Sequence, residues 1–234
     1  MPRVTKHPQV RRAELLDVAF ELSRRHGFEA VSVEQITRAA GVAKGTFYHY
    51  FASKSELREH VVGRFGDSLF AHLTDALAQA RGTGAQRLGA LMVAAAAYKQ
   101  THADLGYAAY LFRDENYALR HRLYDSLRER TRAVLLPVIR EGSGDGSISV
   151  VDAESATDLV LLLWFDAADR LWGRAIEAAD SAAFAAIMVA GSAAITQAQE
   201  RILGVPEGTY SIPVTPELVT TIEQLHAKLD RTHP

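Results

Sequence analysis

The chain has 234 residues, 48% of them hydrophobic, and a formal net charge of −2. That length suits a small terminal module on a larger body, and that apolar fraction is enough for a core. With no cysteine, there is no disulfide framework, thiolate metal ligand or thiol nucleophile, which fits the reducing cytoplasm where the protein is expected. No uninterrupted apolar run reaches about 18 residues and no signal-peptide pattern opens the chain, so membrane insertion and export are not expected.

The charge is unevenly spread. Residues 1–60 carry ten Lys/Arg against seven Asp/Glu, a net of +3, and residues 61–234 carry a net of −5. Attraction to phosphate is therefore concentrated at the N-terminal end. A single module of +3 grips DNA weakly, so two modules working as a pair are expected.

Residues 1–7 form a short polar arm with Arg3 and Lys6. Pro8 suits the first turn of a helix that runs to about His26 and turns Leu15, Leu16, Ala19 and Leu22 inward; Gly27 ends it, and Phe28 and Val31 cover the core. Ser32 opens a second helix, with Gln35 placed for a capping box and Val31 and Ile36 for a hydrophobic staple. Val33, Ile36, Ala39 and Ala40 have helical spacing, and Gly41 stops the helix. After a turn at Val42 and Ala43, a short helix covers Lys44 to Tyr50, with Phe47 and Phe51 four apart as inward anchors. Ser53 and Glu56 cap the next helix. The spacing is that of a helix-turn-helix, whose second helix lies in the DNA major groove.

That fourth helix is predicted over 54–80, a lever from the small module into the body. Further helices are predicted over 85–101, 104–113 and 115–141. The tract GSGDGS, 142–147, reads as a flexible loop. Long helices follow from 152 or 153 to about 177 and over 181–203. A Pro-rich crossing spans 204–216. Thr215-Pro216 then caps a last helix, whose Leu218, Ile222, Leu225 and Leu229 form a narrow seam for the body or for a partner chain. The fold class is all-α. The domains are a helix-turn-helix module, 1–53, and a helical body, 54–234, with the extra helix 216–230.

The segment VSVEQITRAAGVAKGTFYHYFASKSEL, and within it the pattern GxxKGTxYxYFxSKxxL from Gly41 to Leu57, resembles the DNA-binding signature of the tetracycline-repressor (TetR) family. The match extends back to Arg11 and covers about a quarter of the chain. Ala43 departs from the family's frequent serine, and a missing cap side chain costs ~1 kcal/mol. The resemblance implies a homodimeric, ligand-responsive regulator, most often a repressor, on a palindromic double-stranded DNA operator.

On this reading Lys44, Tyr48, His49 and Lys54 grip phosphates, and Thr46 and the Gly45 backbone approach base edges. Ser32 and Gln35 offer the N-terminal amides of their helix to a phosphate. The resemblance also implies a dimer interface from the last two main body helices, with Phe184, Ile187, Met188, Gly191 and Ile195 contributing. A small-molecule effector pocket would draw on Tyr107, Tyr110, Phe112, Trp164, Asp169 and Trp172. The carboxylates in WFDAADRLW need cationic partners, for which Arg113, Arg170 and Arg174 are candidates, and ordinary core with ion pairs at its rim remains open.

No cofactor or metal is expected. The nine histidines lack ligand spacing, and no HExxH, GxSxG, P-loop or dinucleotide motif occurs. His121, between Arg120 and Arg122, reads as part of a solvated face. The alternatives are a helical small-molecule sensor module with weak or lost DNA binding, and a helical enzyme, for which no catalytic constellation is found.

Overall fold

The computed structural model describes residues 7–26, 30–102, 111–112 and 116–230. Every regular element among the described residues is helical. The arm over 1–6, Gly27, Phe28, Arg113 and most of the helix predicted over 104–113 lie outside them.

Three helices make the N-terminal head: α1 (Pro8–His26), α2 (Val33–Ala39) and α3 (Lys44–Tyr50). Their core is Leu15, Ala19, Val31, Val33, Ile36, Phe47 and Phe51. The capping box forms as read, with Gln35 N–H donating to Ser32 Oγ at 3.2 Å and Ser32 N–H donating to Gln35 Oε1 at 2.7 Å. Gly41 then takes φ +65°, a left-handed conformation costly for any side chain. The Val42 N–H reaches back to the Thr37 carbonyl at 2.9 Å, which closes the helix end and starts the turn.

The long α4 (Lys54–Gln79) joins head to body. Its Leu57, Val61 and Val62 are part of the head's core, so its first turns are common to both units. Arg12 of α1 meets His60 of α4, Nη2 to Nε2, at 2.6 Å and stacks its guanidinium over Phe51. Arg64 pairs with Asp17.

Further along, α4 packs on α5 (Gly84–His102) and α6 (Tyr117–Asp145). Gly66 admits Leu123 and Leu127 of α6 to close range, and Arg130 bonds Asp67 at 2.7 Å with its guanidinium 4.2 Å above the Phe70 ring.

The first four residues of the tract expected as a loop are instead the last turn of α6, which runs through Gly142 and Gly144 to Asp145, and only Gly146 and Ser147 leave the helix. The reason is close packing. A Cβ on Gly84 would lie 2.3 Å from the Gly142 backbone, and one on Gly142 would lie 2.6 Å from Ile148 Cδ1. The first amides of α5 are then satisfied from this corner: Gly84 N–H donates to Asp145 Oδ2 at 2.8 Å and Ala85 N–H to Ser147 Oγ at 3.0 Å. Hydrogen bonds from Ser147 first, and from the Gly84 amide second, hold the Asp145 carboxyl below its ordinary range.

The helix predicted from about 153 to 177 is interrupted. It runs as α7 (Ala153–Leu162), passes through a π-helical stretch, Leu163–Ala167, and resumes as α8 (Ala168–Ile176). α9 (Ser181–Leu203) packs on α7, the π stretch and α8. After α9 the chain crosses back under control of one buried carboxylate: Glu200 accepts from Gly208 N–H at 3.0 Å and from Tyr210 N–H at 2.7 Å. Thr215 Oγ1 caps α10 (Pro216–Asp230), accepting from Leu218 N–H. The seam's Ile222 and Leu225 pack against Ala175 and Phe184 of the same chain, which settles the partner left open by the sequence for those two residues.

Replacing Gly84 with Ala tests the α5–α6 contact. The added methyl meets backbone that cannot swing aside, so stability should fall by about 1–3 kcal/mol in urea-induced unfolding. An unchanged midpoint would show that the two helices separate freely.

Candidate nucleic-acid interface

The sequence assigns α3 the task of reading DNA, and the structure gives it a fixed inner and a free outer face. Phe47 and Phe51 are 0% and 1% exposed. Burial of each ring contributes roughly 1.5–3 kcal/mol, which holds the helix to the head. On the outer side Lys44, Gly45, Tyr48 and His49 are exposed, with Thr46 half-buried beside them. The Tyr48 ring packs edge-on to Phe47 with centroids 5.2 Å apart, so its orientation is set from the core while half of its surface stays open. A Cβ added at Gly45 would meet nothing within 4 Å. Glycine there leaves an open approach to the backbone, which is what a close passage along base edges needs.

The remaining assigned residues stand differently. Lys54 is half-buried along a crevice with Ala19, Ser23, Ile36 and Arg58. The amide N–H groups of Ser32 and Gln35 are both taken by the capping box, so these two amides are not open to a phosphate. Ala43 at the N-cap of α3 makes no side-chain cap, as its missing hydroxyl implies. Glu34, which the sequence reading passed over, lies with Oε1 2.5 Å from Lys44 Nζ.

Away from the head, the aromatic residues proposed for an effector pocket divide into two groups. Tyr107 and Tyr110 lie outside the described residues. Phe112, Asp169 and Trp172 come together around Arg120. Its Nε donates to Asp169 Oδ1 at 2.8 Å and its Nη1 to the Leu111 carbonyl at 2.6 Å. Its guanidinium lies 4.6 Å from the centre of the Phe112 ring, which stacks on Trp172 at 5.5 Å. Trp164 belongs elsewhere: its Nε1 donates to Gln199 Oε1 at 2.7 Å, and Gln199 Nε2 donates in turn to Met92 Sδ.

The carboxylates in this segment therefore find Arg120 and Arg128, the latter bonding Asp166 at 2.9 Å, rather than Arg170 or Arg174. Arg120 is also no part of a solvated face, being 8% exposed. His121 beside it packs against Tyr117 with ring centroids 4.1 Å apart and planes tilted by 43°, and its buried Nε2 has no hydrogen-bond partner among the described residues. The hydroxyl of Tyr124 is pushed up to about 12, by burial first and by the nearby Asp169 charge second. The cue for this cluster was present as Tyr117, Arg120, His121 and Tyr124 at helical spacing, a run that one charged pair around a histidine obscured.

Of the residues assigned to a dimer interface, Phe184 is fully buried in its own chain against Trp172 and His226. Its side chain leaves no surface for a partner chain. Ile187 and Met188 are half-buried with Ile222 and Leu225, and Gly191 faces Leu171 of the same chain. Ile195 is half-buried on α9. The exposed positions of α9 include Ala182, Ala186, Ala190, Ser192, Ala193 and Ala194, and on neighbouring α7 Leu159 and Leu162 are 48% and 51% exposed.

Residues 15–61 match the family model described as bacterial regulatory proteins, tetR family. The chain is 30% identical over 151 residues to the HTH-type transcriptional repressor KstR2 of Rhodococcus jostii, covering 62% of this chain and 72% of that protein. The chain belongs to the TetR family. It is 28% identical over 150 residues to KstR2 of Mycolicibacterium smegmatis, with 62% and 71% of the two chains covered. Among solved structures, RolR in complex with resorcinol superposes with a TM-score of 0.60 at 18% identity, over 89% of this chain and 96% of that one. A TetR-family regulator from Mesorhizobium loti superposes at 0.53 and 16% identity, over 97% and 98%. At these identities the two structures establish the shared fold. As a TetR-family member the chain is a DNA-binding transcriptional regulator.

Gly45→Ala separates contact from folding. Alanine raises helix propensity and fits the open space, so thermal stability should hold or rise by about 0.5–1 kcal/mol. Affinity for duplex DNA, read by fluorescence anisotropy, should nonetheless fall. Equal affinity would take the Gly45 backbone away from the bases.

Proposed function

We propose that this chain is a homodimeric repressor that a small molecule releases from a palindromic operator. The observation that carries the DNA half is α3 itself: a helix locked by Phe47 and Phe51 that offers Lys44, Tyr48 and His49 outward. Lys44, Tyr48 and His49 grip phosphates, and Thr46 and the Gly45 backbone read base edges. Lys54 supports that grip from the flank. Two such helices on a two-fold axis meet half-sites about one helical turn, or a multiple of it, apart. The relatives named as repressors support the direction of regulation.

Pairing is supported by the body. α9 is by length and composition apolar enough to cross a membrane, yet only 11% of its most apolar window is buried within the chain. A run of exposed alanines permits close helix approach, and Leu159 and Leu162 add apolar area beside it. We read this surface, with Ile187, Met188, Gly191 and Ile195 at its border, as the face that meets a second copy in the cytoplasm.

The effector half of the proposal draws on the solved RolR complex with resorcinol and on the aromatic cluster around Arg120. Phe112, Asp169 and Trp172 are its proposed lining. Effector and operator then oppose one another through one coupling energy, typically ~1–3 kcal/mol.

A gel shift on the DNA upstream of the protein's own gene tests the operator, with loss of the shifted band on effector addition as the expected result. For the interface, Leu162→Glu adds a charge at an exposed position and spares the core. It should yield a monomer in sedimentation velocity and lower operator affinity at least about a hundredfold through lost bivalency. A variant that stays dimeric would place the interface elsewhere.

A further inference from the structure

The sequence assigns Lys44 to a DNA phosphate. In the structure a carboxylate already holds that place. Glu34, in the first turn of α2, lies 2.5 Å from the Lys44 ammonium. The Lys44 hydrogen bond, above all, holds the Glu34 carboxyl below its ordinary range, with smaller contributions from Glu34's own backbone amide and the Ser32 hydroxyl. The same pair raises Lys44.

Folding does not require this arrangement. The two side chains are 55% and 57% exposed, and pairs so open to water add little to stability. The capping box that starts α2 uses Ser32 and Gln35, so Glu34 is not needed as its cap. An acid on a DNA-facing surface otherwise only weakens attraction to phosphate.

We propose that Glu34 is an intramolecular stand-in for the DNA phosphate, holding Lys44 in the free chain and surrendering it when the head docks. The proposal rests on the reading of α3 as the DNA-facing helix. Docking then exchanges one anionic partner of Lys44 for another. As Lys44 moves to the phosphate, it displaces a condensed cation from the DNA, and the freed Glu34 draws a cation to itself. The net ion release per head is one smaller than the number of phosphate contacts suggests. Glu34 thus restrains the sequence-independent grip of the head on random DNA.

The test uses the full-length chain with Glu34→Gln, which keeps shape and removes charge. Binding to a random-sequence duplex is followed by fluorescence anisotropy across a salt series. The variant should bind about three- to tenfold tighter at low salt, and its log–log salt slope should steepen by up to about 0.9 per head. The two curves should converge as salt rises. Glu34→Ala should move in the same direction. Glu217→Gln makes the same charge change on α10 and should match the wild type.

Unchanged affinity and slope in Glu34→Gln would overturn the proposal. So would equal tightening in Glu217→Gln, which would reduce the effect to net charge. A wild-type chain that binds no duplex at low salt would overturn the DNA-facing reading itself, an outcome distinct from an unchanged variant.

Discussion

Val61 and Val62 are each 1% exposed, enclosed with the head's core while Leu119 and Leu123 of the body helix α6 close over the same cluster. Head and body thus share a core instead of meeting through a linker. Apolar side chains in such a cluster have no low-energy alternative to mutual burial, because separating them returns their surface to water. The orientation of α3 relative to the body is fixed by this contact, which α4 makes together with Leu111 and with Leu119 and Leu123 of α6. Farther along α4, Gly66 against Leu123 and Leu127 extends the grip by another turn.

Arg120 connects this shared core to the interior of the body. Its neighbour Leu119 packs against the head's core, while its own guanidinium bonds Asp169 and the Leu111 carbonyl, and Leu111 is itself a member of that core. A buried charge is tolerated only with partners of this kind. Asp169 lies in the first turn of α8, two residues beyond a π-helical stretch, a feature that inserts an extra residue into a helix and often marks functional positions. One ion pair therefore spans from the irregular helix to the contact that orients the head. Phe112 and Trp172 pack beside this ion pair, so the aromatic cluster and the head's core share Arg120 as a common neighbour.

The electrostatics of the head follow a different logic from those of the body. Body ion pairs such as Arg132 with Asp158, or Arg140 with Glu154, join neighbouring helices. The pair of Lys44 and Glu34 joins the two helices of the helix-turn-helix across its exposed surface, where water competes for both charges. Its meaning is set by the binding partner, since in water alone the pair contributes little.

Most of the head was legible in the amino-acid order. Ser32 with Gln35, Gly41, the pair Phe47 and Phe51, and Ser53 with Glu56 are local signals, complete within a few residues, and local hydrogen bonding and helical period suffice to interpret them. The sequence by itself determined the all-helical class, nearly every helix boundary in the described chain and the side of α3 that faces outward. It left undecided what depends on residues far apart in the chain. Gly142 was read as a loop because glycine disfavours helices in isolation, whereas Gly84, 58 positions away, requires its missing side chain for contact. Phe184 was assigned to a partner chain because its covering helix, α10, comes some 40 residues later. Arg120 and Glu34 acquired their partners only when α8 and α3 were brought alongside. Periodicity records which face of a helix is apolar, and only the packed tertiary structure decides which surface meets that face and which charges are then left to pair.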